Sequence, residues 1–154
     1  DVMLQKGYDA VCYCDISGHA KQNRNTFKHK VFKHLQGILL NRPTRVYDYG
    51  NHYKELIGEI DKDENVIPQI VPQWDHSPRG GRKTNIYINS TPENFAKHVR
   101  MAMEAIKGKK EEHQILMLKS WNEWAEGNYM EPDLTHGRGY IDALRQVVDE
   151  YKDK

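Results

Sequence analysis

The spacing of apolar residues changes period several times along the chain, and each change marks an element. YDAVCYC, residues 8–14, is a compact β-like run, and the polar DISGHAKQNRN that follows at 15–25 reads as a loop. From Thr26, the apolar residues Phe27, Val31, Leu35 and Ile38 or Leu39 recur at helical spacing and stop before Asn41 and Pro43. TRVYDYG (44–50) predicts a short strand or extended lead-in, and Tyr53, Leu56, Ile57 and Ile60 suit a short helix after it. Residues Val66 to Val71 predict a strand, but Pro68 and Pro72 lack ladder donors, so it must be short or hold its prolines at the ends. DHSPRGGRKTNIYINS (75–90) reads as one long loop, a length often functional inside a compact domain.

Thr91 followed by Pro92 is an N-cap and a first-turn proline, with Phe95, Val99, Met103 and Ile106 on the buried face of a helix that stops near Gly108. QILMLKS (114–120) is too continuously apolar for a strand with one wet face, which predicts a parallel strand covered on both sides. Tyr140, Ile141, Leu144, Val147, Val148 and Tyr151 close the chain with an amphipathic helix. Strands alternating with helices predict an α/β fold with parallel strands, in which ligands gather at the carboxyl ends. Segments 72–90 and 121–136 both follow predicted strands and therefore emerge on the same face. No repeat of fixed period and no low-complexity tract interrupts this order.

Composition narrows the class. At 154 residues and 38% hydrophobic, the sequence suits a single domain over 1–154 with a core of its own. Lysine and arginine (23) nearly cancel aspartate and glutamate (22), so no long-range field draws in nucleic acid or anionic lipid. No apolar run approaches the roughly 20 residues of a membrane span, and the first residues lack the pattern of a signal peptide. Cys12 and Cys14 are too close in a strand for an unstrained disulfide, which points to a reducing, cytoplasmic compartment. The start at Asp1 rather than methionine hints at a segment of something longer.

The chemistry concentrates in WNEWAEGNYMEPD, residues 121–133. Glu123 and Glu126 are two residues apart, so a turn brings their carboxyls within several ångströms, and Trp121 and Trp124 supply flat apolar faces beside them. Paired carboxylates walled by aromatic rings suit a sugar: repulsion and an apolar wall can leave one acid protonated while the other is ionised, as glycosidic-bond cleavage requires. A surface loop with solvated acids and tryptophans that plug the core fits the composition equally well. Asp75, with Trp74 and Arg79, could bond sugar hydroxyls or a phosphate, or simply close a turn. Glu131 and Asp133 could orient the glutamate pair, although Pro132 between them also suits a helix-entry turn. The eight histidines show no zinc-motif spacing, and no cofactor is implied. The basic stretch 21–34 reads as a solvated helix face over core aromatics, and Asn89-Ser90-Thr91 as a cap before Pro92.

SWNEWAEGNYMEPD followed by GRGYIDAL resembles the C-terminal signature of the WbsX-like proteins of bacterial surface-polysaccharide clusters, the group related to glycoside hydrolase family 99. VPQWDHSPRGGR and GYDAV resemble further motifs of that group, so the resemblance spans nearly the whole chain. It implies a (β/α)8 barrel and glycosidic-bond chemistry on lipopolysaccharide or O-antigen. Glu123 would be the base that takes a proton from the sugar's own 2-hydroxyl, and Glu126 the acid that protonates the leaving oxygen and later activates water. Trp74, Asp75, Arg79, Trp121, Asn122, Trp124, Tyr129 and Glu131 would bind substrate. Ala125, where the hydrolases usually carry histidine, and the Met-Glu-Pro-Asp continuation at 130–133 set the sequence nearer the WbsX-like branch, whose members are commonly described as glycosyltransferases. A complete barrel takes about 250 residues. Three to four β/α units, the C-terminal half of such a domain, are therefore expected here, completed by an N-terminal half or by another copy. Glycosyl transfer and sugar binding without turnover are the alternatives to hydrolysis.

Overall fold

The computed structural model of the chain describes residues 2–13, 45–81 and 84–152, together with Leu35 and Leu39. It is a mixed α/β structure built on short parallel strand pairs. Six strands are present among the described residues: β1 (Arg45–Asp48), β2 (Gln69–Ile70), β3 (Asn85–Ile88), β4 (Met117–Leu118), β5 (Asn122–Glu123) and β6 (Asn128–Tyr129). Two long helices, α1 (Pro92–Ile106) and α2 (Gly139–Lys152), pack against each other and against the strands.

Three segments run side by side in chain order. Val11 bridges Val66 in parallel, with Val11 N donating to Asn65 O at 2.8 Å and Ile67 N to Val11 O at 2.8 Å. β2 then pairs in parallel with β4, where Met117 N donates to Pro68 O and Lys119 N to Ile70 O, both at 2.9 Å. The prolines explain the shortness of β2: Pro68 and Pro72 bracket it, and Pro68 serves the ladder only through its carbonyl. Parallel neighbours in sequential order are compatible with a slice of a β/α barrel.

β1 and β3 form a second parallel pair, from Arg45 opposite Asn85 to Asp48 opposite Ile88. This corrects the reading of 75–90 as one loop. NIYI was hidden between loop-forming flanks, yet its Tyr87 is buried and Tyr87 N donates to Trp74 O at 2.7 Å. The run 114–120 is corrected too. Only Met117–Leu118 is strand, and one side is open: Ile115 and Met117 are 47% and 45% exposed, while Leu116 and Leu118 pack on the core. Alternate residues thus face opposite environments, as in a strand covered on one side. Among the described residues of YDAVCYC, 8–13, only Val11 makes a bridge, and Cys14 lies outside them. The helix expected from Thr26 lies outside the described residues except for Leu35 and Leu39, which are helical and exposed. The short helix expected at 53–60 is a series of tight turns, Tyr49–His52, Tyr53–Glu55 and Glu59–Lys62.

α1 forms where the sequence places it. Thr91 Oγ accepts from Asn94 N, Pro92 opens the first turn, and Phe95, Val99, Ala102 and Ile106 line its buried face. Phe95 meets Tyr140 of α2 edge to face at 5.7 Å, and Arg100 donates twice to Glu150 at 2.8 and 2.7 Å. Gly139 is required at the crossing, because a Cβ there would stand 2.7 Å from Pro92 Cγ. Full burial of Phe95, Val99 and Val147 is worth roughly 1.5–3 kcal/mol per side chain, which makes this helix pair the main apolar support of the strands. No helix among the described residues is long and apolar enough to cross a membrane.

One polar residue shares that core. His98 is fully buried on α1, and its Nδ1 lies 2.8 Å from the Tyr49 hydroxyl, which donates to Val71 O at 2.5 Å. Burial pushes the His98 imidazole from its ordinary 6.5 down to about 4, so it is neutral in the fold at neutral pH. The unfolded chain binds this proton first as pH falls, so stability is lost progressively between about 6.5 and about 4. We expect the His98→Phe variant to lose the Tyr49 bond and be less stable at pH 7.5, with the gap to the unaltered chain narrowing by roughly 2–3 kcal/mol by pH 4.5. Urea midpoints measured across that range check this; a constant gap would contradict it.

Candidate active site

Two loops at the carboxyl ends of β2 and β4 make the site. In the first, Asp75 Oδ1 accepts from Ser77 N at 2.9 Å and starts the helical turn Ser77–Gly80, with Pro78 in its first turn. That turn carries His76 and Arg79 toward the second loop. In the second, β5 and β6 form an antiparallel hairpin, Asn122 opposite Tyr129 and Glu123 opposite Asn128, closed by the tight turn Trp124–Glu126.

Gly127 lets the loops meet. Its φ is 52°, in the left-handed region, and a Cβ there would stand 3.0 Å from both the amide nitrogen and the Cβ of Asp75. The close approach allows Asp75 N to donate to Glu126 O at 3.0 Å. Asn128, fully buried, ties both loops together from below: its Nδ2 donates to Gln73 O at 2.6 Å and Lys119 O at 3.0 Å. Ser120 Oγ donates to Asn128 O at 2.7 Å and accepts from Glu123 N at 3.3 Å, and Gln73 Nε2 donates to Tyr129 O at 3.2 Å.

The glutamates converge on one arginine. Glu126 Oε1 accepts from Arg79 Nη1 at 2.7 Å and lies 3.2 Å from His76 Nε2, while Glu123 Oε1 is 3.9 Å from Arg79 Nη2. The side chain of Glu126 is 17% exposed and that of Glu123 43%, so the second is the freer group. A guanidinium, rather than the expected apolar wall, stands between the two carboxylates and offsets their repulsion. Arg79 is itself largely exposed, so the pair is worth at most about 1 kcal/mol and acts chiefly to fix geometry.

The aromatic residues divide into three environments. Trp124 stacks on Tyr129, with centroids 3.7 Å apart and planes 13° apart, and its Nε1 donates to Glu131 Oε2 at 2.6 Å. Trp74 is buried to 6% exposure beneath Lys119 Nζ, 5.1 Å from its ring centre. Trp121 is exposed, as is Asn122 beside it, and the Trp121 carbonyl accepts from Met130 N at 2.8 Å. A cleft of about 370 Å³ lies between the loops, walled by Trp74, Asp75, Tyr87, Trp124, Gly127 and Tyr129 among others. Its size falls within the range of ligand pockets. Burial first, and the Asp133 carboxylate second, push the Tyr129 hydroxyl above its ordinary range against a smaller opposing effect of a hydrogen bond with Gln73, and the residue lines the cleft.

Of the residues expected to serve the site, Trp74, Asp75, Trp124 and Tyr129 line this cleft. Glu123, Glu126 and Arg79 form a charged cluster joined to it through the Asp75–Glu126 backbone bond. Glu131 bonds to the indole of Trp124, and Asp133 Oδ1 accepts from Thr135 N and His136 N in the turn that leads into α2. His76, Gln73, Ser120 and Asn128 were not expected. His76 stood in the DHSPR motif but was weighed only as a metal ligand, and a buried asparagine has no sequence signal beyond its place in the acidic motif.

Residues 2–144 match the family model described as Glycosyltransferase WbsX, and the chain belongs to that family. Uncharacterized protein WxcX of Xanthomonas campestris pv. campestris strain B100 is 28% identical over 109 residues, covering 70% of this chain and 16% of the relative. WxcX from a second strain of the same pathovar is 31% identical over 106 residues, covering 66% of this chain and 15% of the relative. The chain thus spans a small part of the curated relatives it matches. No solved structure matches it.

The contact at Gly127 is directly testable. Gly127→Ala should destabilise the chain by about 1–3 kcal/mol. Gly127→Asn should not rescue it, because asparagine tolerates the left-handed backbone but still carries the Cβ that meets Asp75. Recovery of wild-type urea stability by asparagine would mean that backbone strain alone fixes the glycine.

Proposed function

We propose that the chain is the catalytic-face portion of a carbohydrate-active domain that acts on glycosidic bonds of bacterial surface polysaccharide, of the lipopolysaccharide or O-antigen kind. The observation that carries this reading is the Glu123–Arg79–Glu126 cluster set against a cleft walled by Trp74, Trp124 and Tyr129. Membership of the WbsX family supports a role in polysaccharide biosynthesis or modification. The sequential parallel segments at Val11, β2 and β4 support placement as three β/α units of a (β/α)8 domain, completed by units from outside this chain or from another copy. Its two closely spaced cysteines support a cytoplasmic setting.

In this reading, by analogy with glycoside hydrolase family 99, Glu123 takes the proton of the sugar's 2-hydroxyl as O2 bonds to C1 and the bond from C1 to the leaving oxygen breaks. Glu123 returns that proton when the nucleophile opens the three-membered ring at C1. Glu126 gives its proton to the departing glycosidic oxygen and then takes one from the incoming nucleophile. Arg79 and His76 engage Oε1 of Glu126, which assigns the proton transfers to Oε2. When the nucleophile is water the outcome is hydrolysis. The second reading, transfer to a sugar hydroxyl of a growing chain, is favoured by the family's description and uses the same pair.

Glu126→Gln in the full-length parent should lower turnover of surface oligosaccharide by about 100-fold or more while binding stays within a few-fold. A new reducing end marks hydrolysis and a longer chain marks transfer. An unchanged rate would reject the catalytic role of Glu126.

A further inference from the structure

We propose that Glu131 is a positioning residue that locks Trp124 as a one-faced stacking platform, and that the ligand meets this indole through the C–H face of a pyranose ring. The second half rests on the carbohydrate reading above; the first does not.

Three constraints act on the Trp124 ring at once. One face is covered by Tyr129 at 3.7 Å and 13°, which is close to parallel stacking. The only polar atom, Nε1, donates to Glu131 Oε2 at 2.6 Å, the short length of a charge-assisted bond. The backbone under both partners is itself held, because Glu131 N donates to Trp121 O at 3.3 Å and β6 fixes Tyr129 against Asn122. Yet the residue remains 47% exposed and lines the cleft. These contacts hold the ring while part of its surface stays open to the cleft.

The consequence for recognition follows from what the ring has left to offer. Its donor is committed to protein, so it supplies no hydrogen bond to a ligand. Its free face is apolar and π-rich, and it sits beside Asp75, whose polar side chain also borders the cleft. A flat apolar face next to hydrogen-bonding groups fits a pyranose, which presents C–H bonds on one side and hydroxyls around its rim. Glu131, expected from the resemblance to bind substrate, acts in this proposal through Trp124.

The test has two arms on the full chain. Near-ultraviolet circular dichroism reads the lock without a substrate: the signal lost in Trp124→Phe should persist in Glu131→Gln, which keeps an acceptor, and collapse in Glu131→Ala. Persistence of the full signal in Glu131→Ala would overturn the lock. Titration with cellohexaose and maltohexaose reads the face. Glu131→Gln, which keeps the acceptor, should bind one of them within about threefold of the unaltered chain, and Trp124→Ala about tenfold more weakly. Equal losses in both variants would show that the Glu131 carboxylate itself meets the ligand and overturn its positioning role. No binding of either sugar with the dichroism lock intact would overturn the pyranose assignment while leaving the Glu126 turnover test to decide the glycosidic reading.

Discussion

The candidate site depends on one short backbone contact, the hydrogen bond from Asp75 N to Glu126 O across Gly127. It joins the loop after β2 to the hairpin after β4, together with the contacts of Asn128 and Tyr129 with Gln73 and of Glu126 with His76 and Arg79. A Cβ at 127 would press on Asp75 N and Cβ at 3.0 Å and force the two loops to shift against each other by a few tenths of an ångström. Everything chemical about the site, the shared guanidinium and the cleft walled by aromatic rings, exists because two strands end side by side and a glycine lets their loops touch. The exposed ion pair is too weak to gather the loops by itself; the buried Asn128 and the backbone bond supply the rigidity.

The support beneath is of a different kind. α1 and α2 bury an apolar seam from Phe95 and Tyr140 to Val99 and Val147, and the Tyr49–His98 pair extends this core to the carbonyl of Val71, where β2 gives way to the site loop. Stability and site geometry therefore meet at the end of β2. A neutral His98 in that core ties the stability of the whole to pH, although the histidine lies on α1 rather than in the site.

Much of this was legible in the sequence because it rests on local rules. Thr91-Pro92 announces α1, the apolar period announces α2, and Glu-x-x-Glu followed by glycine announces a turn that brings two acids together. β3 was not legible, because Asn85–Ile88 is four residues long between a glycine-rich loop and a helix cap, and only its partner β1 and the Trp74 carbonyl make it a strand. The openness of β4 was hidden for a related reason: an apolar run does not say whether both of its faces are covered. His76 and Asn128 escaped notice because the partners that tie the loops together lie far along the chain, 50 and 55 residues away in the case of His76 to Glu126 and Asn128 to Gln73. The bond from the Trp124 indole to Glu131 was likewise invisible, since a spacing of seven residues across a hairpin does not show which side chains meet.

The central claim is that Glu126 acts as a unit with Arg79, placed by the meeting of the two loops. A double-mutant cycle on oligosaccharide turnover by the full-length parent, with Arg79→Gln, Glu126→Gln and the pair together, tests this most directly. The account predicts that the double variant is little slower than Glu126→Gln alone, because the arginine has no further role once its partner is gone. Losses that simply multiply would show the two residues acting independently and contradict the account.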